Sequence, residues 1–136
     1  MDVAVRFARA RVARLATVDG TGAPHLVPMV FALAGDVIHS AVDAKPKRHR
    51  ALKRLANIAA EPRVSVLADH YDDDWSLLWW VRADGIARVL DSSPDGLAAL
   101  TAKYPQYVAA PPAGPFLAIE VRRWSGWPVE PGTQTG

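Results

Sequence analysis

The sequence has no cysteine among its 136 residues. Disulfide bonds, thiolate chemistry and cysteine-based metal sites are therefore excluded. It also has no apolar run near the ~20 residues that a membrane-spanning helix needs, so we expect no membrane partner. The N-terminus lacks the order of a secretion signal, in which a basic stretch precedes an apolar one, and we predict a cytoplasmic protein.

The sequence also lacks a large excess of positive or negative charge. Sixteen Lys and Arg residues face 14 Asp and Glu residues, which gives a formal net charge of +2 and is too small a bias to predict nucleic-acid binding. Half of the residues are hydrophobic, as is typical of a globular chain. The length suits one domain, which we place at residues 1–129, followed by a flexible polar tail at residues 130–136.

Alternating apolar residues and turn signals predict about six strands. They are Val12–Val18, His25–Leu33, Val37–Val42, Arg63–Ala68, Trp75–Asp91 and Phe116–Arg122. We expect the first three to form an antiparallel meander, with the second at an edge or a bulge because Pro28 lacks a ladder donor. Asp84-Gly85 in the fifth strand fits either a hairpin turn or a bulge in one long strand. This order of elements favours a small barrel or sandwich.

Helix signals occur in Asp2–Ala10, Ala44–Pro62 and Pro94–Tyr104, and a loop is predicted at Pro105–Pro115. The middle helix is unusually basic. On a helical wheel, one side holds Leu52, Leu55, Ala56 and Ala59, with Ala51 and Ile58 at its edge. The other side holds Lys47, Arg50, Lys53, Arg54 and Asn57. Cations near a helix N-terminus are unfavourable unless an anion lies close by. A phosphate would interact favourably with both the Lys and Arg side chains and the helix N-terminus. A solvated basic face is the competing interpretation.

The remaining polar residues form no recognised catalytic or metal-binding motif. His25, His39, His49 and His70 are scattered along the chain, and no serine lies in a nucleophile elbow. The acidic loop Asp69–Asp74 lacks the glycine and terminal glutamate of a calcium loop. We therefore predict no catalytic side chain and no metal site.

Two sets of sequence stretches resemble a known family. Leu15-Ala-Thr-Val-Asp-Gly-x-Gly-x-Pro-His25, Val27-Pro-Met-Val-Phe31 and Asn57-Ile-x-x-x-Pro-Arg-Val-Ser-Val66 resemble the FMN-binding split β-barrel group of pyridoxamine 5′-phosphate oxidase-like proteins. Asp69-His-Tyr-Asp-x-Asp-Trp75 and Leu78-Trp-Trp-Val-Arg-Ala-Asp-Gly85 are similar to an actinobacterial branch that uses the deazaflavin coenzyme F420. The resemblance spans Ala13 to Trp127 and favours the bulge at Asp84-Gly85.

The resemblance implies a mainly β (α+β) fold, a six-stranded antiparallel split β-barrel with a few short helices. It also implies a homodimer that holds the cofactor in a groove between the subunits. The cofactor ring would lie against Val27, Pro28, Met29 and Val30. The phosphate would meet Lys45, Lys47, Arg48, Arg50, Lys53 and Asn57. We expect Trp79 to stack on the cofactor or substrate, because an aromatic face suits a flat conjugated ring.

These implications favour an F420-dependent oxidoreductase that transfers a hydride between the cofactor and a small conjugated substrate. FMN is the alternative cofactor, and the broad basic patch favours F420 because a deazaflavin tail carries carboxylates beyond its phosphate. A cofactor carrier without turnover and a nucleic-acid binder are alternatives of other classes. The acidic loop argues against the latter, so the expected partners are a second subunit and a small-molecule substrate.

Overall fold

The computed structural model describes residues 2–42 and 48–128, and it describes residues 48–52 by their backbone alone. The helices are α1 (Val3–Arg9), α2 (Arg48–Ala60), α3 (Pro94–Lys103) and α4 (Gln106–Ala109), with a short 3-10 turn at Trp75–Leu77. The strands are β1 (Ala13–Val18), β2 (Pro24–Met29), β3 (Ala32–Ala34), β4 (Val37–Ala41), β5 (Arg63–His70), β6 (Trp79–Leu90) and β7 (Phe116–Trp127). They form one antiparallel sheet in the order β2-β1-β5-β6-β7-β4-β3.

The two edge strands of this sheet follow one another in the sequence. Met29 ends β2 and Ala32 begins β3, and the three steps between them span at most about 11 Å. The sheet must therefore curl until its edges approach, which gives a half-barrel. Tyr104 fixes the link, because its hydroxyl accepts a hydrogen bond from Phe31 N at 3.1 Å and lies 2.8 Å from the Phe31 carbonyl oxygen.

This link corrects the strand count, because the single strand predicted at His25–Leu33 is two strands and the sheet has seven strands. Pro28 does mark an edge strand, as expected. Both antiparallel pairings of the predicted meander are present, as the β1–β2 and β3–β4 hairpins. The meander is not continuous, because the two hairpins lie at opposite edges of the sheet. The Tyr104 hydroxyl binds the N–H and the carbonyl of Phe31, which a continuous strand would pair with a neighbouring strand.

Strands β6 and β7 form the longest pairing. Its register shifts between Asp84, which faces Arg123, and Gly85, which faces Val121. A Cβ atom at residue 85 would collide with the Glu120 carbonyl oxygen, so glycine permits the two backbones to approach. Arg122 of β7 has no partner in β6, so the extra residue of the bulge lies in β7, opposite Asp84 and Gly85. The single long strand predicted here is confirmed, and the hairpin alternative is wrong. Because Trp80 pairs with Trp127, β7 also extends beyond its predicted end at Arg122.

The helices at the two ends of the chain begin at side-chain caps. Asp2 accepts a hydrogen bond from Ala4 N at 2.8 Å, and Ser93 accepts one from Gly96 N at 3.0 Å, which satisfies donors that a helix start leaves free. Both helices lie where the sequence predicts them, at Asp2–Ala10 and Pro94–Tyr104. Helix α4 lies inside the predicted loop Pro105–Pro115, because one helical turn is too short to show an apolar period.

The buried side of α2 differs from the predicted apolar side. Asn57 and Ile58 are 2% and 3% exposed, whereas Ala56 and Ala59 are exposed. Burial of Asn57 is tolerated because its amide donates to Thr17 Oγ1 at 3.1 Å. Lys45, Lys47 and the predicted tail 130–136 lie outside the described residues, and Arg48 and Arg50 are described by their helical backbone alone.

The barrel interior holds the main core, which includes Phe7, Leu15, Phe31, Ile38 and Leu117. A second cluster packs α3 on the outside of β3, β4 and β7. Side chains that point outward from β1, β5 and the first half of β6 are covered by no helix that the structure describes, so this face is open to a ligand. Of the helices described in residues 2–42 and 48–128, none is long and apolar enough to cross a membrane.

Candidate functional site

A cavity of about 740 Å³ lies on this open face. Side chains from five strands and the β5–β6 loop line it: Arg14, Ala16, Leu26, Ser65, Leu67, Asp69, His70, Tyr71, Leu78, Trp79, Trp80, Arg82 and Trp127. A second cavity of about 440 Å³ shares Ala16 and Ser65 with it and extends toward Arg63 and Arg122. Together they form a groove that runs along the outer face.

The charges on the floor of the larger cavity are paired with one another. Arg14 Nη1 lies 3.2 Å from Asp69 Oδ1, and Arg82 Nε lies 3.1 Å from Asp84 Oδ1. Ser65 Oγ donates to the same Asp84 oxygen at 2.7 Å. The floor is therefore polar but electrically balanced, while Leu26 and Trp127 leave 67% and 45% of their surface exposed. Such a surface suits a flat ring that carries little net charge.

Trp79 is the predicted aromatic residue of the site, and the structure holds it firmly at the cavity wall. The Arg6 guanidinium lies 5.5 Å from the centroid of its ring. The imidazole of His70 stacks on it with centroids 6.5 Å apart, and the side chain also packs against the core. Trp79 therefore offers one part of its ring to a ligand and uses the rest for packing.

The predicted ring-binding strand is β2. Val27 packs against the core and Met29 is buried in it, whereas Pro28 is exposed. Val30 packs on the α3 cluster, and its carbonyl accepts from Ser40 Oγ at 2.7 Å. Among the described strands, β2 pairs with β1 alone, so backbone groups along its other edge are available to a ligand. These residues can hold a ring through their backbone rather than through their side chains.

The predicted phosphate residues that the structure describes in full lie at the β1–β2 turn. Lys53 Nζ is 3.4 Å from Asp19 Oδ2. Hydrogen bonds from the Thr21 hydroxyl and the backbone of Ala23 and Thr21 hold the pKa of Asp19 far below its usual range. The carboxylate therefore stays ionised and neutralises part of the Lys53 charge. Asn57 faces inward on Thr17 and leaves little surface for a ligand.

Arg54 is a further cation at the α2 end of the site, and it is not among the predicted site residues. Its side chain is half-buried, and its Nε is buried with no hydrogen-bond partner among the described residues. Burial lowers the pKa of Arg54, as expected for a cation without an opposite charge. The spacing of three residues between Arg54 and the buried Asn57 could have placed it on the inner side of the helix. An anion could accept a hydrogen bond from this buried Nε, so Arg54 fits a phosphate.

Strand β2 passes both the α2 end of the site and the larger cavity. Thr17 faces His25 at the α2 end of β2, and Ala13 faces Met29 at its other end, about 13 Å away. Leu26, between them, reaches into the larger cavity. The residues therefore fit an elongated group that has a phosphate at one end and a flat ring at the other. Within residues 2–42 and 48–128, no group of three or more His, Asp or Glu could hold a metal ion.

Comparison with known proteins identifies the family and the fold. Residues 2–128 match the family described as pyridoxamine 5′-phosphate oxidase. No curated protein sequence matches the chain.

Among solved structures, a FAD-binding protein (mll6688) from Mesorhizobium loti is 23% identical with a TM-score of 0.65, covering 91% of this chain and 90% of its own. The conserved hypothetical protein Rv2991 from Mycobacterium tuberculosis is 23% identical with a TM-score of 0.66, covering 93% and 84%. The heme storage protein HutZ from Vibrio cholerae is 12% identical with a TM-score of 0.63, covering 88% and 86%. At these identities, the three structures establish a shared fold.

Proposed function

Since the chain belongs to the pyridoxamine 5′-phosphate oxidase family, we propose that it is an F420-dependent oxidoreductase. It transfers a hydride between the deazaflavin and a small conjugated substrate. The observation that carries this proposal is the presence, in one half of the sheet, of a half-buried cation with an unpartnered nitrogen, an open strand edge and an aromatic cavity. The cation is Arg54, with Lys53 beside it, and the cavity contains Trp79, Trp80 and Trp127.

Each of these parts has a defined task in the proposal. Arg54 and Lys53 hold the phosphate, because a guanidinium and an ammonium together satisfy several phosphate oxygens. The open edge of β2 orients the ring through backbone hydrogen bonds at Val27–Met29. The cavity excludes water from the face of the ring and positions the substrate next to it. A bound deazaflavin supplies the hydride from its own ring carbon.

Reduction of a substrate by a hydride also consumes a proton. His70 lines the cavity, and its Nε2 lies 3.9 Å from Asp72 Oδ2. An imidazole can hold a proton and donate it at neutral pH. In the proposed reaction, His70 gives this proton to the substrate, a role that the sequence alone did not suggest for it.

A homodimer completes the site in this proposal. Leu26 and Trp127 line the same cavity and leave much of their surface exposed, and Leu77, in the β5–β6 loop, is 53% exposed. Apolar patches of this kind mark interaction surfaces, and a second subunit across this face would shield the groove. Sedimentation velocity at micromolar concentration tests this part, and a stable monomer would contradict it.

FMN is the second candidate cofactor. It presents the same flat ring and phosphate to the same residues, and a structural neighbour is named as a FAD-binding protein. A flavin would leave the phosphate residues in the same role, whereas the extra carboxylates of F420 would require further cations. A carrier function without turnover uses the same contacts and differs only in the absence of a substrate reaction.

Titration of the purified protein with F420, FMN, FAD and heme separates these candidates. Absorbance and fluorescence changes of each compound give four dissociation constants under one set of conditions. The proposal predicts that F420 binds most tightly and that the reduced F420 complex reduces quinone-like or other conjugated acceptors. Preferred binding of FMN, FAD or heme would replace the cofactor in the proposal, and binding of F420 without any hydride transfer would support the carrier.

A further inference from the structure

Arg14, in the larger cavity, has several N–H donors that bind no other described residue. A guanidinium has five N–H donors. Among the described residues, Arg14 uses one of them, from Nη1 to Asp69 Oδ1 at 3.2 Å. Its side chain is 43% exposed, so the other donors are accessible from the cavity. Arg14 can therefore bind a second carboxylate. Two of its parallel N–H groups can donate to the two oxygens of that carboxylate.

Apolar side chains lie around Arg14, beside the paired charges of the cavity floor. Ala16 lies two residues along the same strand, and Leu26 and Leu67 of the neighbouring strands line the same cavity. The indoles of Trp80 and Trp127 form its far wall. Planar aromatic groups pack well on such walls. The cavity thus combines a bidentate cation at one place with aromatic and aliphatic surfaces around it.

We propose that this cavity selects flat aromatic carboxylates as substrates, with the carboxylate on Arg14 and the ring against Leu26, Trp80 and Trp127. The proposal rests on the proposed function, because it names the substrate class of that same site. Its volume of about 740 Å³ leaves room for a bicyclic acid, since pockets for small ligands begin at about 300 Å³.

Asp69 regulates the strength of this contact. Its carboxylate already neutralises part of the Arg14 charge and repels an incoming carboxylate. Removing the charge of Asp69 should therefore strengthen binding of an acid, and removing that of Arg14 should weaken it. Opposite effects of two neighbouring substitutions distinguish a carboxylate site from a merely apolar cavity.

The test uses calorimetric titration of the full chain with 2-naphthoate and, separately, with 2-naphthamide, which has the same shape but no charge. Wild-type protein should bind the acid roughly ten-fold more tightly than the amide, the usual effect of a charge-assisted pair of hydrogen bonds. Arg14→Gln should abolish this preference, and Asp69→Asn should increase it. Amide affinity should stay the same within about two-fold in both variants, because the apolar walls are unchanged.

Arg88→Gln is the matched control. Arg88 is an exposed arginine that lines a different cavity, near α3, so its loss should not alter the preference for the acid. Urea unfolding of each variant checks the fold, which should hold because exposed ion pairs contribute little to stability. Equal binding of acid and amide by the wild type, no binding of either, or a preference that survives Arg14→Gln would overturn the proposal.

The same titrations are repeated in the presence of saturating F420 or FMN. An Arg14-dependent preference for the acid without any cofactor binding supports the substrate class and contradicts the oxidoreductase. Cofactor binding with no preference for the acid contradicts the substrate class and leaves the oxidoreductase in place. The two proposals therefore fail separately.

Discussion

The two ends of the candidate site differ in how their charges are balanced. In the larger cavity, Arg14 and Arg82 each lie beside a carboxylate. At the α2 end, Lys53 is partly neutralised by Asp19, but Arg54 has a buried nitrogen with no partner among the described residues. A balanced surface is stable without a ligand, whereas a half-buried cation without an anion is not. This contrast is the reason for proposing that the phosphate binds at α2 and the ring in the cavity.

The largest expected effect comes from Arg54, because its charge is the least balanced. Arg54→Met should weaken cofactor binding by about 1.5–3 kcal/mol, the usual contribution of a hydrogen bond to a charged group, or roughly ten-fold to more than a hundred-fold in Kd. Resistance to unfolding should stay the same or rise, since a desolvated charge is removed while the volume is kept. Fluorescence titration with the cofactor and thermal unfolding give the two numbers.

Arg88→Met is the control for this prediction, because Arg88 is an exposed arginine outside the groove. Arg6 would be a poor control despite its distance from α2 in the sequence, since its guanidinium lies over the ring of Trp79. If Arg54→Met and Arg88→Met gave the same affinity, the phosphate would not lie on α2 and the contrast between the two ends would be lost.

A smaller effect is expected at the aromatic end. Trp127→Ala should weaken cofactor or substrate binding by about 0.5–1.5 kcal/mol, the usual range for an aromatic pair beyond its buried area. Trp75→Ala serves as the comparison, because Trp75 is 71% exposed and does not line the cavity. Quenching of the remaining tryptophan fluorescence measures both affinities. Equal losses in the two variants would mean that the cavity does not hold the ring.

The ion pair of Lys53 and Asp19 offers a finer test of charge balance. Asp19→Asn should free Lys53 and tighten cofactor binding, and Lys53→Ala should weaken it. Each change should reach at most about 1 kcal/mol, because the pair is exposed. Raising the salt concentration should reduce both effects. Titrations from low to high salt therefore show whether Lys53 acts through its charge. Affinity changes that do not depend on salt would mean that Lys53 acts through packing instead.

Much of this fold could be predicted from local signals. The Asp2 and Ser93 caps, the long strand through Gly85 and the edge position of Pro28 each follow from the chemistry of one or two residues. The break at Val30–Phe31 could not be predicted, because it depends on the hydroxyl of Tyr104, which is distant in the sequence. Local patterns describe a strand, but they do not show which side chain will take over its backbone groups.

The site was predictable in composition but not in orientation. The sequence located a basic helix, yet the side of that helix that faces inward depends on Thr17, which receives the Asn57 amide. The position of Arg54 follows from that contact. Likewise, pairing of β1 with β5 brings Arg14 next to Asp69, and no spacing in the sequence indicates this pair. Contacts between distant strands decide which charges are balanced and which are left for a ligand.

The smallest expected effect on ligand binding concerns Lys103, a half-buried cation outside both ends of the site. Unlike Arg54, it is satisfied within the chain, since Nζ donates to the Ala10 carbonyl at 2.7 Å and lies 3.7 Å from the Phe31 ring centroid. Burial, assisted by the nearby charge of Arg11, lowers the pKa of Lys103 from 10.5 to about 8. Between these values the unfolded chain binds a proton that the folded chain does not, so folding stability should rise as the pH increases from about 8 to 10.5.

Thermal unfolding between pH 7 and 10.5 measures this slope, and Lys103→Met should remove it. Below pH 8 both states hold the proton, so the residue adds no slope there. Because Lys103 needs no ligand, saturation with the cofactor should raise the midpoint at every pH without changing the slope. A slope that disappeared on cofactor binding would mean that Lys103, like Arg54, contacts the ligand, and the site would then extend from α2 to the end of α3.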